Sequence, residues 1–352
     1  MRAQKSQKKD LERMQGLWKP VFSQSWGQKS SNDALKSDHS YLIRGAQLVE
    51  RSRWGLLEGS LKLDTSEKPR AIDVTFCDRF KAWKGIYTFE GDKLKICIPY
   101  GSRPRPTKFG AEREDGGDWI QILERQPNDQ IPKEKTDAQE KEKEARMRIN
   151  GNLFVLGMAM HRYHDENGHF PRPAITNKEG KPLLSWRVAL LPYLGQEKLH
   201  KQFKLDEPWD SVHNKTLLAK IPKIYATPAG AKKVADATYL QVFVGKNSVF
   251  EEAKDIQFSD VTDGTSSTLM IIESGKAVPW TKPEDLLYAA NKPVPELGGS
   301  IADGLISLVY VDGSTHILRR AVTKEYEGKL RACITRNGGD TFFDGWEDLD
   351  PK

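Results

Sequence analysis

The residues most capable of chemistry gather in two short stretches. His161, His164, Asp165 and His169 crowd the first, and a metal site is the sharpest reading of them. His161 and Asp165 stand four apart, so on a helix they share a face, while His164 lies about a hundred degrees to one side and His169 in the loop beyond. Hydrogen-bonded structural histidines need no converging turn, and that plainer reading is the expected one. The second stretch, 260–268, packs Asp260, Thr262, Asp263, Thr265, Ser266, Ser267 and Thr268 around Gly264. Oxygens two or three residues apart on a turn can hold calcium, with Asp260, Asp263 and Thr265 as the candidate ligands. The full acidic series and terminal glutamate of an EF-hand are missing. A self-bonded turn leading into a strand competes with that site, and no other cofactor is expected.

Glu273 follows the apolar run 269–272 and is expected either to meet Arg187 as a buried pair or to emerge at the strand end. Trp209 and Asp210, after Pro208, and Trp280, after Pro279, sit in proline-stiffened loops. A rigid indole suits recognition of a glycan, a peptide or a second subunit; each Trp pinning its loop to the core is the alternative. Neither a Gly-x-Ser-x-Gly elbow nor a phosphate-cradling glycine loop occurs, and Ser185 and Ser211 lack the sequence of an activated nucleophile. The expectation is therefore a protein that is not an enzyme.

These residues sit in a chain of 352 residues with 38% hydrophobic and 30% charged content, enough for two ordinary cores. Mean hydropathy is −0.63, and no run approaches the roughly 20 apolar residues of a membrane span. Of the net charge of +6, half comes from residues 1–13, where Arg2, Lys5, Lys8, Lys9 and Arg13 outnumber Asp10 and Glu12 by three. That stretch reads as a basic tail. The remaining chain mixes Lys and Glu without a basic stripe, so nucleic acid is not an expected partner. Cys77, Cys97 and Cys333 lack metal-ligand spacing, and Cys77 and Cys97 fall in strand-like runs where a buried thiol packs as a small hydrophobe.

Stretches 57–63, 71–77, 85–89, 94–98 and 119–123 alternate apolar and polar residues and read as strands, with Glu90-Gly91-Asp92 as a hairpin turn. Short strands at close spacing without a helical period predict a small antiparallel barrel or sandwich. Pro127 and Pro132 then mark a linker. Beyond it Lys and Glu interleave over 133–148 and run into Ile149, Leu153, Leu156, Met160 and Tyr163, the buried face of a long helix exposed in its first half. Asn167-Gly168 ends it, and Pro171 and Pro173 forbid its continuation. A shorter helix over 185–203, interrupted near Pro192, and one over 212–220 capped by Asp210 or Ser211 follow. Runs 238–244, 267–272 and 305–311 read as strands, with Asp312-Gly313 turning the last into 315–318 and a closing helix over 326–336.

Gly16-Leu17-Trp18 opening the first strand resembles the Gly-x-Trp signature of lipocalin-like barrels, in which the indole plugs the closed end. With Glu58-Gly59, Lys68-Pro69, Lys84-Gly85-Ile86-Tyr87 and Arg105-Pro106-Thr107, the first third of the chain resembles a lipocalin-like domain of planctomycete bacteria. The second half resembles a large planctomycete family of unknown function whose usual members begin with a type IV pilin-like leader and hydrophobic helix. Met160-His161, Gly168-His169-Phe170-Pro171, Leu184-Ser185-Trp186-Arg187, Pro208-Trp209-Asp210-Ser211, Thr262-Asp263-Gly264-Thr265, Pro279-Trp280-Thr281 and Ile334-Thr335-Arg336 carry that likeness. Here the apolar half-helix is replaced by the Lys/Glu segment and the barrel. The family's frequent cysteine is also absent before Pro228, where Ala226-Thr227 stand, so no disulfide is expected there.

The resulting expectation is a mixed fold: an antiparallel lipocalin-like β-barrel over 11–125, followed by a pilin-like α+β domain over 145–345 with a long N-terminal helix packed on an antiparallel sheet. A basic tail over 1–10, a charged linker and helix start over 126–144, and a tail over 346–352 complete it. The expected role is structural or interactive, with a protein partner or self-association. The alternative is a solute- or glycan-binding protein using the barrel cavity for a small apolar ligand, or using Trp209, Asp210, Trp280 and Trp18 as contacts. With no signal or membrane segment in the sequence as given, the cytoplasm is the expected location, or the cell envelope if the true start lies upstream.

Overall fold

A computed structural model describes residues 2–25, 28–29, 39–52, 55–76, 82–99, 104–109, 118–127, 138–320 and 327–339. Cys77, residues 133–137 and the expected C-terminal tail lie outside the described residues. The chain divides into two compact units, Met1–Lys135 and Thr136–Lys352. No helix among the described residues is long and apolar enough to cross a membrane.

The first unit begins with α1 (Arg2–Met14) and continues with β1 (Gly16–Ser25), the two-residue β2 (Gln28–Lys29), β3 (Ser40–Arg44), β4 (Gln47–Ser52) and β5 (Gly55–Asp64). It is completed by β6 (Ala71–Phe76), β7 (Trp83–Glu90), β8 (Lys93–Ile98) and β9 (Trp119–Arg125). Each strand from β3 to β9 pairs antiparallel with the next, and β1 pairs with both β3 and β9. Eight strands therefore close on themselves, which removes the exposed edges that would template aggregation. Alternation does the sorting of side chains: Ile72, Val74 and Phe76 of β6 are buried while Asp73 and Thr75 are only partly so. Gly91 takes φ of 60° in the hairpin between β7 and β8. The hairpin β3–β4 was not anticipated. It turns through Gly45 at φ 59°, and its apolar positions are too few for a strong signal.

The expected basic tail is corrected to a helix tied to the barrel. Asp10 and Met14, four apart, put one buried face on α1. The Asp10 carboxylate accepts from Arg70 at 2.8 Å and from the Tyr87 hydroxyl at 2.7 Å; the Gln15 amide bridges to Gly45, and Arg13 lies over the Phe89 ring at 4.1 Å. With a hydrogen bond from Arg13 to the Gly91 carbonyl, these contacts reach all three strand connections at one end of the barrel, between β3 and β4, β5 and β6, and β7 and β8. Trp18, 1% exposed, donates its indole N–H to the Met14 carbonyl at 2.7 Å, and the Arg125 guanidinium covers the ring at 4.5 Å. Arg125 also donates to the carbonyls of Arg13 and Gln15.

In the second unit α2 (Ala138–Asn167) buries Ala145, Ile149, Leu153, Leu156 and Met160. It packs on a four-stranded antiparallel sheet in the order β12 (Ala237–Gln241), β14 (Leu269–Pro279), β16 (Leu305–Tyr310) and β17 (Thr315–Arg319). Gly157 allows the close approach, since a Cβ there would stand 3.1 Å from Val309. Two small sheets flank this layer: β10 (Ala174–Thr176) with β11 (Pro182–Ser185), and the parallel pair β13 (Phe243–Val244) and β15 (Leu286–Leu287). The expected helix over 185–203 is broken into α3 (Trp186–Ala189), a 3₁₀ turn Leu191–Leu194 and α4 (Glu197–His200). Pro192 and the left-handed Gly195 cause the breaks. Ser211 caps α5 (Val212–Lys215), which is shorter than expected, and α6 (Glu327–Ile334) follows β17.

Trp18→Ala is expected to lower unfolding stability by about 3–5 kcal/mol, the cost of emptying a large buried aromatic site. Urea denaturation measures it, and a loss below about 1 kcal/mol excludes Trp18 as the closing plug.

Candidate functional site

Inside the barrel the inward positions of β3 to β9 leave a cavity of about 30 Å³. One water needs roughly 10–15 Å³ on such a measure, so the space suits a slim group rather than a bulky one. Its walls are apolar, from Ile43 and Leu48 on one side to Leu94, Ile96 and Leu123 on the other, with the aromatic rings of Phe76, Trp83 and Trp119. Phe76 and Trp83 meet edge to face at 5.3 Å, and the Trp119 indole is held by a 3.1 Å hydrogen bond to Ser23.

Against these walls stands one polar corner. Tyr41 on β3 lies directly opposite Glu50 on β4, and across the barrel its hydroxyl donates to Gln121 Oε1 at 2.8 Å. His39, two residues before Tyr41 and 5.0 Å from its ring, places Nε2 3.0 Å from the Glu50 carboxylate. Glu50 is 8% exposed and Gln121 4%. Burial, with the Glu50 charge next, pushes the Tyr41 phenol well above its ordinary pKa, so it stays neutral and donates. The space is therefore apolar over most of its lining, with these polar groups at one side of it. None of Tyr41, Glu50, Gln121, Trp83 or Trp119 stood out in the sequence. The available signal was Glu50 on the inward register of an alternating strand, where a carboxylate is out of place.

The residues singled out from the sequence lie elsewhere. Trp18 is buried, with its N–H on the Met14 carbonyl of α1. Trp280 is fully buried, stacked on Tyr225 at 6.0 Å with its N–H on the Leu218 carbonyl, and so is unavailable to a ligand. Trp209 is half-buried under Lys282, whose ammonium sits 5.6 Å from the ring, and Asp210 is exposed.

The candidate calcium ligands each have a backbone partner. Asp260 is exposed and accepts from the Gln257 amide, capping its own turn. Asp263 is buried and receives the amides of Gly338 at 2.6 Å and Gly339 at 3.0 Å. Thr265 lends its carbonyl to the Asp312 amide. Among the described residues no group of three His, Cys, Asp or Glu side chains could hold a metal ion. The histidines are likewise spoken for: His161 donates to the Val311 carbonyl, His164 accepts the Phe258 amide between the rings of Phe170 and Phe258, and His169 bonds the Phe170 carbonyl. Tyr163, expected to be buried, is half-buried against Tyr193. Cys97 and Cys333 are buried thiols.

Glu273 is fully buried, but its partner is Arg146 rather than Arg187. Arg146 was expected on an exposed helical surface; it is 3% exposed and also grips Asp303 with two nitrogens, at 3.1 and 2.7 Å. Burial alone would pull its guanidinium down, yet Glu273 and Asp303 hold it above the ordinary value. Arg187 pairs instead with Asp285 at 2.7 Å, and its remaining donors reach the Leu240 carbonyl and Ser185. The first network joins α2 to the sheet, and the second joins α3 to β12 and to Asp285.

Asp263→Ala is expected to cost about 1–3 kcal/mol by orphaning two buried amides, and millimolar calcium is expected to move the melting temperature of neither protein. A calcium-dependent rise confined to the parent would restore the metal reading. Burial lowers the pKa of His164 first and foremost, and that of His200 similarly. The folded chain then binds fewer protons than the unfolded one just below pH ~6.5, so stability falls as pH drops through that region. His164→Gln should flatten the dependence of the urea midpoint between neutral and mildly acidic pH.

Residues 141–228, from the first turn of α2 to Pro228, match a family described as a protein of unknown function, DUF1559. No curated protein and no solved structure matches the chain.

Proposed function

We propose that this chain is a non-enzymatic binding and interaction protein of a planctomycete-type bacterium. Its lipocalin-like barrel takes a small, largely apolar molecule, and its pilin-like DUF1559 unit serves as the structural or partner-contacting module. The observation that carries the reading is the barrel interior: apolar walls around a residual space, with Tyr41, Gln121 and Glu50 converging on one side of it. An eight-stranded barrel built only for stability fills its interior with apolar side chains, whereas this one keeps a buried carboxylate that raises the cost of folding. The Tyr41 hydroxyl is spent on Gln121 and burial keeps its phenol neutral, which supports binding rather than turnover.

Ile96 lines the cavity and is only partly buried, so Ile96→Trp has space to occupy the void. Short-chain n-butyl compounds are expected to change the fluorescence of Trp83 and Trp119 in the parent, and Ile96→Trp is expected to abolish saturable binding measured by isothermal titration. Equal binding by both proteins, or by neither, sinks the cup reading and leaves the barrel a packed partner-binding domain.

A further inference from the structure

Resting on that reading of the barrel as a cup, we propose that its ligand is a primary alkylammonium, with the charged head against Glu50, Tyr41 and Gln121 and the hydrocarbon along the apolar wall. Three observations point the same way. The first is charge. Glu50 is 8% exposed in the wall of an apolar cavity, and its ion-pair partner among the described residues is His39, which carries charge only when protonated. A buried carboxylate met by the His39 ring and the Tyr41 hydroxyl, with no permanent cation among the described residues, is under-compensated compared with Glu273, which has Arg146, the Ser300 amide and hydroxyl, and the Ser307 amide.

The second is hydrogen-bond polarity. Tyr41 uses its one proton on Gln121 Oε1, and the carboxylate of Glu50 beside it offers only acceptors. A primary ammonium brings three donors and no acceptor, and so complements the Glu50 carboxylate, which would repel a carboxylate ligand. The third is the aromatic lining. Tyr41, Phe76, Trp83 and Trp119 surround the space, and ring faces attract a cation or the polarised methylene beside it. The cavity of about 30 Å³ excludes a bulky quaternary head and favours a slim unbranched chain.

The test compares three probes of equal length on the full chain: n-butylammonium, n-butanol and n-butanoate, by isothermal titration at neutral pH. The expected order is n-butylammonium tightest, n-butanol at least about tenfold weaker, and n-butanoate without measurable binding. In Glu50→Gln, n-butylammonium should fall to the level of n-butanol while n-butanol is unchanged. If n-butanol binds the parent as well as n-butylammonium does, the alkylammonium assignment is overturned although the cup stands. Should none of the three bind the parent, the cup reading itself falls. The parent comparison decides the matter even if Glu50→Gln does not fold.

Discussion

Pairing of β1 with β9 turns a meander of strands into an enclosure, and nearly everything distinctive about the first unit follows from that closure. An open sheet would let every inward side chain choose water or a partner. A closed one forces Tyr41, Glu50 and Gln121 to share an interior with Leu94 and Leu123, where an unmet hydrogen bond or charge has no solvent to turn to. The end of the enclosure is sealed by the same economy of contacts. Trp18 spends its one polar atom on α1, Arg125 from the last strand lies over its ring, and Asp10 holds the helix to Arg70 and Tyr87. Closing strand and sealing helix thus meet at one indole.

The chain buries carboxylates in more than one way, and the contrast separates structure from binding. Glu273 and Asp285 each lie against a buried arginine and further donors, so their charge is answered inside the protein. Such pairs do little for net stability, but removing one partner is expensive, which fixes α2 to its sheet and the Trp186 turn to β12. Glu50 has a histidine and a tyrosine whose proton is already committed. A charge left short of donors beside a cavity is a place where a ligand can contribute what the fold does not.

Much of the architecture was legible beforehand. Alternation in residues such as Ile72, Val74 and Phe76, the Gly91 turn, and the i, i+3, i+4 series from Ile149 to Met160 are local patterns that survive folding unchanged. The errors share a cause. Residues 1–13 read as a basic tail because half of their side chains are charged, and Asp10 and the adjoining Met14 gain meaning only from Arg70, Tyr87 and the barrel end. Arg146 looked like another surface charge on a Lys/Glu helix until the sheet supplied Glu273 and Asp303.

The sequence by itself determined where most of the strands and the long helix lie, because backbone periodicity and turn chemistry are properties of neighbours along the chain. It also placed the family likeness of the second half, where residues 141–228 match DUF1559. Tertiary structure alone decided which polar residues matter. His161, Asp263 and Trp280, conspicuous in the sequence, are consumed by backbone carbonyls and amides brought from 62 to 150 positions away. Glu50 and Gln121, inconspicuous in the sequence, are set around one hydroxyl by barrel closure. The reason is that a side chain's capacity for chemistry depends on whether its partners are already satisfied, and those partners are fixed by contacts distant in the chain.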